Sequence, residues 1–409
     1  FKYSSGSNPN FLDIDNIKIY NEKSGYSFSI FMIPYGKQDI TDDDIDSVVS
    51  VLKSNFLTQG PMVPKFERIL CEYVDSKYSV VVSNATSALH IACLALELSN
   101  GDILWTSPIT FTSSSSCALY CGASVDFVDI DPNTGLMSIE KLKEKLRVAN
   151  KDGKLPKIVI PVHLAGQSCD MASIYKLSKE YGFKIIEDAA HAIGARYKKE
   201  LVGNCRYSDI TVFSFHPVKI ITTGEGGAAL TNNIDLYNRM NLFRSHGITR
   251  DKSKMKNPIE AHWYYEQISL GYNYRMTDIQ AALGISQLSR LEKYVEKRAN
   301  IAKDYTNKLD LDKVTPLRQM YNTKSSWHLY IIRVKDKKNR DKLVETLYSQ
   351  GIGVNLHYIP LYKHPYIMEY GCNLIGAENY YNSAITIPLF PGILHNDINH
   401  IVNIINSNL

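Results

Sequence analysis

Two residues far apart in the chain carry the first hint of chemistry. Lys219 lies in "FSFHPVKIITTGEGG" (213–227), between an apolar run and a glycine-rich turn. An amine at the end of a buried strand leaves water, and desolvation lowers an ammonium pKa toward neutrality. Such an amine is a nucleophile able to form a Schiff base with a carbonyl. Read alone, Lys219 is a surface lysine at a strand end, because single motif matches are weak. Asp188 closes "KIIED" (184–188), ahead of "AAHAIG". In an open α/β sheet the C-terminal strand ends face the ligand crevice, so a carboxylate there faces the site. An aspartate beside a pyridinium nitrogen keeps that nitrogen charged and makes the ring an electron sink, a pairing pyridoxal phosphate needs. The competing reading of Asp188 is a helix cap.

Three further stretches suit the same cofactor. In "SNATSALHIA" (83–92) a strand gives way to a helix through small polar residues. Backbone N–H groups, the helix dipole and the hydroxyls of Thr86 and Ser87 make an anion site there, although a simple N-cap accounts for the same residues. Ser214 adds a hydroxyl. Phe111, in "SPITFTSSSS" after the strand-like "DILWTS", offers a flat face to stack on a ring, with core packing as the plainer reading. Phosphate cup, aromatic face, aspartate and lysine follow one another between residues 83 and 219. The set is more specific than any member.

These residues need a scaffold, and the pattern around them supplies one. From about residue 78, short apolar runs such as "YSVVVS", "KIVIPVH" and "DITVFSF" alternate with helical stretches. Continuous apolar runs with intervening helices indicate an α/β fold, with a mainly parallel sheet covered on both faces. Asp170 and Gly182 are the expected N-cap and C-terminal stop of one such helix. "MTDIQAALGISQLSRLEKYVEKRANIAKDYTNKL" reads as a long helix with room for a break, a connector. Beyond it, "WHLYIIRV", "DKLVETLYSQ" and "IGVNLHY" suggest a small C-terminal α+β domain. The division expected is residues 1–31 as a leader or N-terminal arm, 32–275 as the large cofactor-binding domain, and 276–409 as connecting helix and small domain. A net charge of +4, spread along the chain, argues against nucleic acid or a membrane surface as partner. The seven cysteines are scattered and never spaced CxxC, so neither a disulfide framework nor a metal site is expected. A reducing cytoplasm fits that usage, and no apolar run approaches the roughly 20 residues of a membrane helix.

"EDAAHAIGA", "FSFHPVKIITTGEGGAALTNN", "LFRSHGI" and "GYNYRMTDIQAALGISQL" together resemble the DegT/DnrJ/EryC1/StrS family of pyridoxal-phosphate sugar aminotransferases, from about Ile33 to the C-terminus. The resemblance implies a fold-type-I aminotransferase and a homodimer with active sites at the interface. It puts Lys219 at the Schiff-base lysine and Asp188 at the pyridinium partner. His191 falls beside the cofactor ring, Phe111 at the stacking ring, and Thr86, Ser87 and Ser214 at the phosphate. Asn273 matches an asparagine that reaches the phosphate from the neighbouring subunit. Tyr35, Arg275 and His357 are expected at the substrate, with His246 and His328 in motifs that line the sugar pocket or serve structure. One subgroup replaces the lysine by histidine and dehydrates its substrate; this chain keeps Lys219. "NFLTQGPMVPKFE" and "LFRSHGITRD" most resemble members of pseudaminic acid biosynthesis, which aminate C4 of a UDP-linked 4-keto-6-deoxy-N-acetylhexosamine with glutamate as donor. Other nucleotide-linked ketosugars, a non-catalytic regulatory relative, and a lyase or desulfurase using Cys372 are the alternatives.

Overall fold

The computed structural model describes residues 32–257, 261–367 and 374–409, together with strands Lys18–Tyr20 and Ser27–Ser29, which pair antiparallel with each other. Most of the expected leader or arm, and Cys372, lie outside the described residues.

Seven strands form the central sheet in the order Tyr78–Val82, Gly227–Thr231, Ile210–Ser214, Lys184–Asp188, Ile158–Ile160, Ile103–Thr106 and Ser124–Phe127. Gly227–Thr231 runs antiparallel to both its neighbours, and the other pairs that include Lys184–Asp188 or Ile103–Thr106 are parallel. Ile158–Ile160, Ile210–Ser214 and Gly227–Thr231 are buried at every position, because helices cover both faces. Helix Met171–Tyr181 begins and ends where its sequence directs. The Asp170 side chain accepts the Ser173 N–H, and Gly182 closes the helix in the left-handed conformation.

The expected connector is two helices, Asp278–Leu288 and Leu291–Lys308. At the break, Arg290 turns back to the buried carboxylate of Asp44, 2.6 Å away. The second helix joins two cores. Leu291, Tyr294 and Val295 pack with Phe66 and Phe213, whereas Ala302 and Tyr305 pack with Tyr330 and Ile401. The C-terminal part holds a three-stranded antiparallel sheet, Thr315–Pro316, Tyr330–Arg333 and Ala384–Ile387, in that order. The run Ile352–Tyr358 makes only isolated bridges, at Ile352 to Ile33 and at Asn355 to Thr386. Through the first of these, residues entering the large body are stitched to the C-terminal part. Ile33 exchanges backbone hydrogen bonds with Gly351 and Gly353, and Leu389 N–H donates to the Tyr35 carbonyl.

Beneath the rim of the sheet, Glu187 points to the face opposite Asp188. It is buried and accepts hydrogen bonds from His163 Nε2 (2.8 Å), Ser208 Oγ (2.5 Å) and Thr211 Oγ1 (3.0 Å). Cys169 N–H donates to His163 Nδ1, which leaves the imidazole proton on Nε2, facing Glu187. Burial raises the Glu187 carboxyl pKa, and the donors, His163 first, more than offset it, so the group is held below its ordinary value. Glu187→Ala strands the buried donors of His163 and Thr211 and the half-buried one of Ser208, and is expected to lose about 3 kcal/mol at neutral pH, read by urea denaturation. A depressed carboxyl contributes its full stability above the unfolded pKa and loses it as pH falls through the folded one. The gap between wild type and variant should therefore narrow on acidification.

Candidate active site

A cavity of about 740 Å³ opens at the C-terminal ends of the central strands. Thr86, Ser87, Ser214 and Lys219 line it, as do Phe111, Asp188 and His191. The entering segment contributes Tyr35, and the C-terminal part of the chain contributes His328 and His357. Asn273 and Arg275 do not line this cavity. Their segment runs beside Tyr78–Val82, with Asn273 bridged to Ser245 and Arg275 to Val82, and only Tyr274 between them reaches the lining. His246 also lies outside, in a left-handed turn.

The anion cup is built from a helix start. Asn84 caps helix Ala85–Ala95 by accepting the Ser87 N–H at 2.8 Å. Ala85 and Thr86 line the cavity and their N–H groups have no hydrogen-bond partner among the described residues, so the positive helix end borders the cavity. Gly227 allows this start to sit against the neighbouring strand, because a Cβ there would lie 2.6 Å from Ala85 N and from Asn84 C.

Lys219 stands beyond the strand rather than at its end. Strand Ile210–Ser214 stops first, and residues 215–226 form a loop closed at its neck. Phe215 N–H donates to the Gly226 carbonyl, and the Phe215 carbonyl accepts Thr223 N–H and Thr222 Oγ1. Ile220 and Ile221 anchor the loop in the core, and Lys219 N–H closes a turn onto His216. The Lys219 amine itself has no hydrogen-bond or ion-pair partner among the described residues. Burial pulls its pKa down to about 8, with the negative charge of Asp188 opposing the shift.

Asp188 caps no helix. Its Oδ2 accepts Ser114 Oγ at 2.6 Å and its Oδ1 accepts Ala190 N–H at 3.1 Å. Ser114 Oγ lies 2.7 Å from Thr110 Oγ1, and Thr110 also lines the cavity. Phe111 remains 58% exposed, an apolar ring with a face open to the cavity.

Around the amine stand three discharged histidines. Burial, then the charges of Lys219 and His357, holds His191 well below its ordinary pKa. His328 is lowered in the same way, first by burial, and His357 falls to about 3. Ala165 N–H donates to His191 Nδ1 at 3.2 Å, so the neutral ring carries its proton on Nε2, 3.0 Å from the Tyr358 hydroxyl. Buried Arg298 fixes the approach of His328, donating to the carbonyls of Trp327, His328 and Leu389. Ser114, Thr110 and Tyr358 escaped sequence reasoning. The first two carried a signal, hydroxyls four residues apart in "TFTSSS", and Tyr358 adjoined His357. Chemically, the cavity offers donors for a phosphate, an amine poised for a carbonyl, and a carboxylate on the same surface.

Residues 38–406 match the DegT/DnrJ/EryC1/StrS aminotransferase family. The UDP-4-amino-4,6-dideoxy-N-acetyl-beta-L-altrosamine transaminase of Campylobacter jejuni subsp. jejuni serotype O:2 is 38% identical over 362 residues, covering 87% of this chain and 92% of that protein. Helicobacter pylori PseC, an aminotransferase involved in the biosynthesis of pseudoaminic acid, superposes with a TM-score of 0.84 at 31% identity, over 92% of this chain and 99% of that one. Spr1654 from Streptococcus pneumoniae in its PLP form gives 0.82 at 29% identity, over 92% and 98%. With its motifs, its mainly parallel sheet and these relatives in agreement, the chain belongs to the DegT/DnrJ/EryC1/StrS aminotransferase family and is a pyridoxal-phosphate-dependent sugar aminotransferase.

Proposed function

We propose that this enzyme moves an amino group from glutamate to C4 of a UDP-linked 4-keto-6-deoxy-N-acetylhexosamine, UDP-2-acetamido-2,6-dideoxy-beta-L-arabino-hexos-4-ulose, as in pseudaminic acid biosynthesis. The observation that carries the chemistry is an unpartnered amine of pKa about 8 sharing one cavity with the Asp188 carboxylate. The choice of sugar rests on the Campylobacter jejuni transaminase and the PseC structure.

The residues present fit pyridoxal 5′-phosphate. Free N–H groups at the helix start, with Thr86, Ser87 and Ser214, would hold its phosphate; Phe111 would cover one ring face; Asp188 would meet the ring nitrogen. When bound, the cofactor supplies an aldehyde that captures amines and a charged ring that accepts electron density from the reacting carbon. Lys219 Nζ would hold the cofactor at its aldehyde and, when free, would act as the general base that takes the proton from the glutamate α-carbon. In the second half-reaction it delivers a proton to C4 of the sugar. His191, neutral and fixed by Ala165, keeps a donor beside the ring without adding a competing positive charge. Tyr35 and His357 would border the sugar. In a homodimer, Asn273 and Arg275 would serve the partner's cavity, since neither lines its own, although Tyr274 between them does.

The test is incubation with glutamate, pyridoxal phosphate and a panel of UDP-, GDP- and dTDP-linked 4-ketosugars, with products identified by mass and NMR. Amination at C4 of the UDP-linked N-acetylhexosamine is the expected result. Preference for another nucleotide or for C3 would transfer the reading to a different amino sugar.

A further inference from the structure

We infer that Ser114 is a positioning residue that sets the plane of the Asp188 carboxylate for the cofactor ring, as the middle member of a one-way chain of hydroxyl donors starting at Thr110. The inference rests on the proposed pairing of Asp188 with the ring nitrogen and goes beyond it.

The direction of the chain follows from counting protons. An ionised carboxylate only accepts, so the 2.6 Å contact uses the single hydroxyl proton of Ser114. The 2.7 Å contact between Ser114 and Thr110 must then be donated by Thr110. Ser114 is shut away from solvent at 0% exposure, so water does not substitute for it, and Thr110, at 2%, meets only the cavity edge. On the other side, Ala190 N–H holds Oδ1. With a donor on each oxygen, rotating the carboxylate about its Cβ–Cγ bond breaks both bonds at once. Helix Ser113–Tyr120 supplies one grip and the turn after Lys184–Asp188 the other. The lone pair left on the cavity side is thereby aimed before any ligand arrives, which removes an ordering cost from binding. Thr110, its proton spent, offers the cavity only an acceptor.

A structural role and a positioning role separate when the ligand's ring nitrogen is varied. Apo-protein would be titrated with pyridoxamine 5′-phosphate and with its 1-deaza analogue, in which C–H replaces the ring nitrogen. Neither can be captured by Lys219, so affinity is read apart from turnover. Wild type is expected to prefer the natural form by at least about tenfold, the worth of one hydrogen bond to a charged group. Ser114→Ala should bring that ratio close to one while leaving deaza affinity within about twofold. Thr110→Val, which keeps the shape but removes the first donor, should reduce the ratio by about threefold. Ser114→Thr should restore it, and both latter variants keep the measurement available if Ser114→Ala fails to fold. A Ser114→Ala protein that keeps the wild-type ratio, or loses both ligands equally, overturns the inference. A wild-type ratio near one would instead strike the pairing of Asp188 with the ring nitrogen, and with it the ground on which Ser114 acts.

Discussion

Lys219→Ala is expected to lower turnover by at least about 10,000-fold and to abolish the visible absorbance that bound pyridoxal phosphate owes to this lysine, while phosphate-directed binding of the cofactor persists. The size of the effect follows from the two roles proposed for one amine, holding the aldehyde and moving the proton, and among the described residues no other lysine lines the cavity. A surviving rate within tenfold of wild type would remove Lys219 from the mechanism. The pH dependence has a definite sign. Burial lowers the ammonium pKa to about 8, so the nucleophilic fraction grows as pH rises through that value. Capture of pyridoxal phosphate by apo-protein, trapped with borohydride and mapped to the Lys219 peptide, should show a midpoint near 8 rather than at the ordinary lysine value. Folding linkage runs the same way. The unfolded chain binds this proton more tightly than the folded one, so the penalty on the apo fold is complete below about pH 8 and fades above it. Lys219→Ala should therefore cost activity without costing apo stability at neutral pH, a separation that differential scanning calorimetry can check.

The parts of this site that could be read from sequence share one physical property: each is announced by its immediate neighbours. Asp188 closes a short strand centred on Ile185 and Ile186, and strand ends in such sheets open toward ligands. Asp170 and Gly182 bracket a helix by local backbone chemistry alone. What stayed hidden depends on partners distant in the chain. Ser114 meets Asp188 across the sheet, and Ala165 fixes the tautomer of His191 from a separate turn. Tyr35, expected at the substrate from the family resemblance alone, reaches the cavity because Ile33 pairs with Gly351 and Gly353, a contact no local pattern encodes. The break at Ser289–Arg290 is set by Asp44, again remote in sequence. Lys219 reads from the sequence as a strand-end lysine, but the threonines and glycines that read as a turn after it instead close a loop that carries it.

Asp188→Asn is the sharpest test of charge at this site because the hydroxyl chain can adapt to it. An asparagine whose oxygen faces Ala190 N–H presents its NH2 group to Ser114. Ser114 can then accept and donate onward to Thr110, reversing the chain with every hydrogen bond kept. The variant should fold and close the same cavity. What it lacks is the negative charge that holds a ring nitrogen protonated where electron density accumulates. Loss of one preorganised electrostatic partner is worth about 100- to 1,000-fold in kcat. The same substitution removes the charge that opposes the depression of the Lys219 pKa, so the amine's midpoint should move below about 8. Activity and amine titration therefore respond in a linked way: turnover falls although Lys219 becomes easier to deprotonate. Near-normal kinetics in this variant, with the Lys219 midpoint displaced as expected, would place Asp188 beside the amine but remove it from the ring.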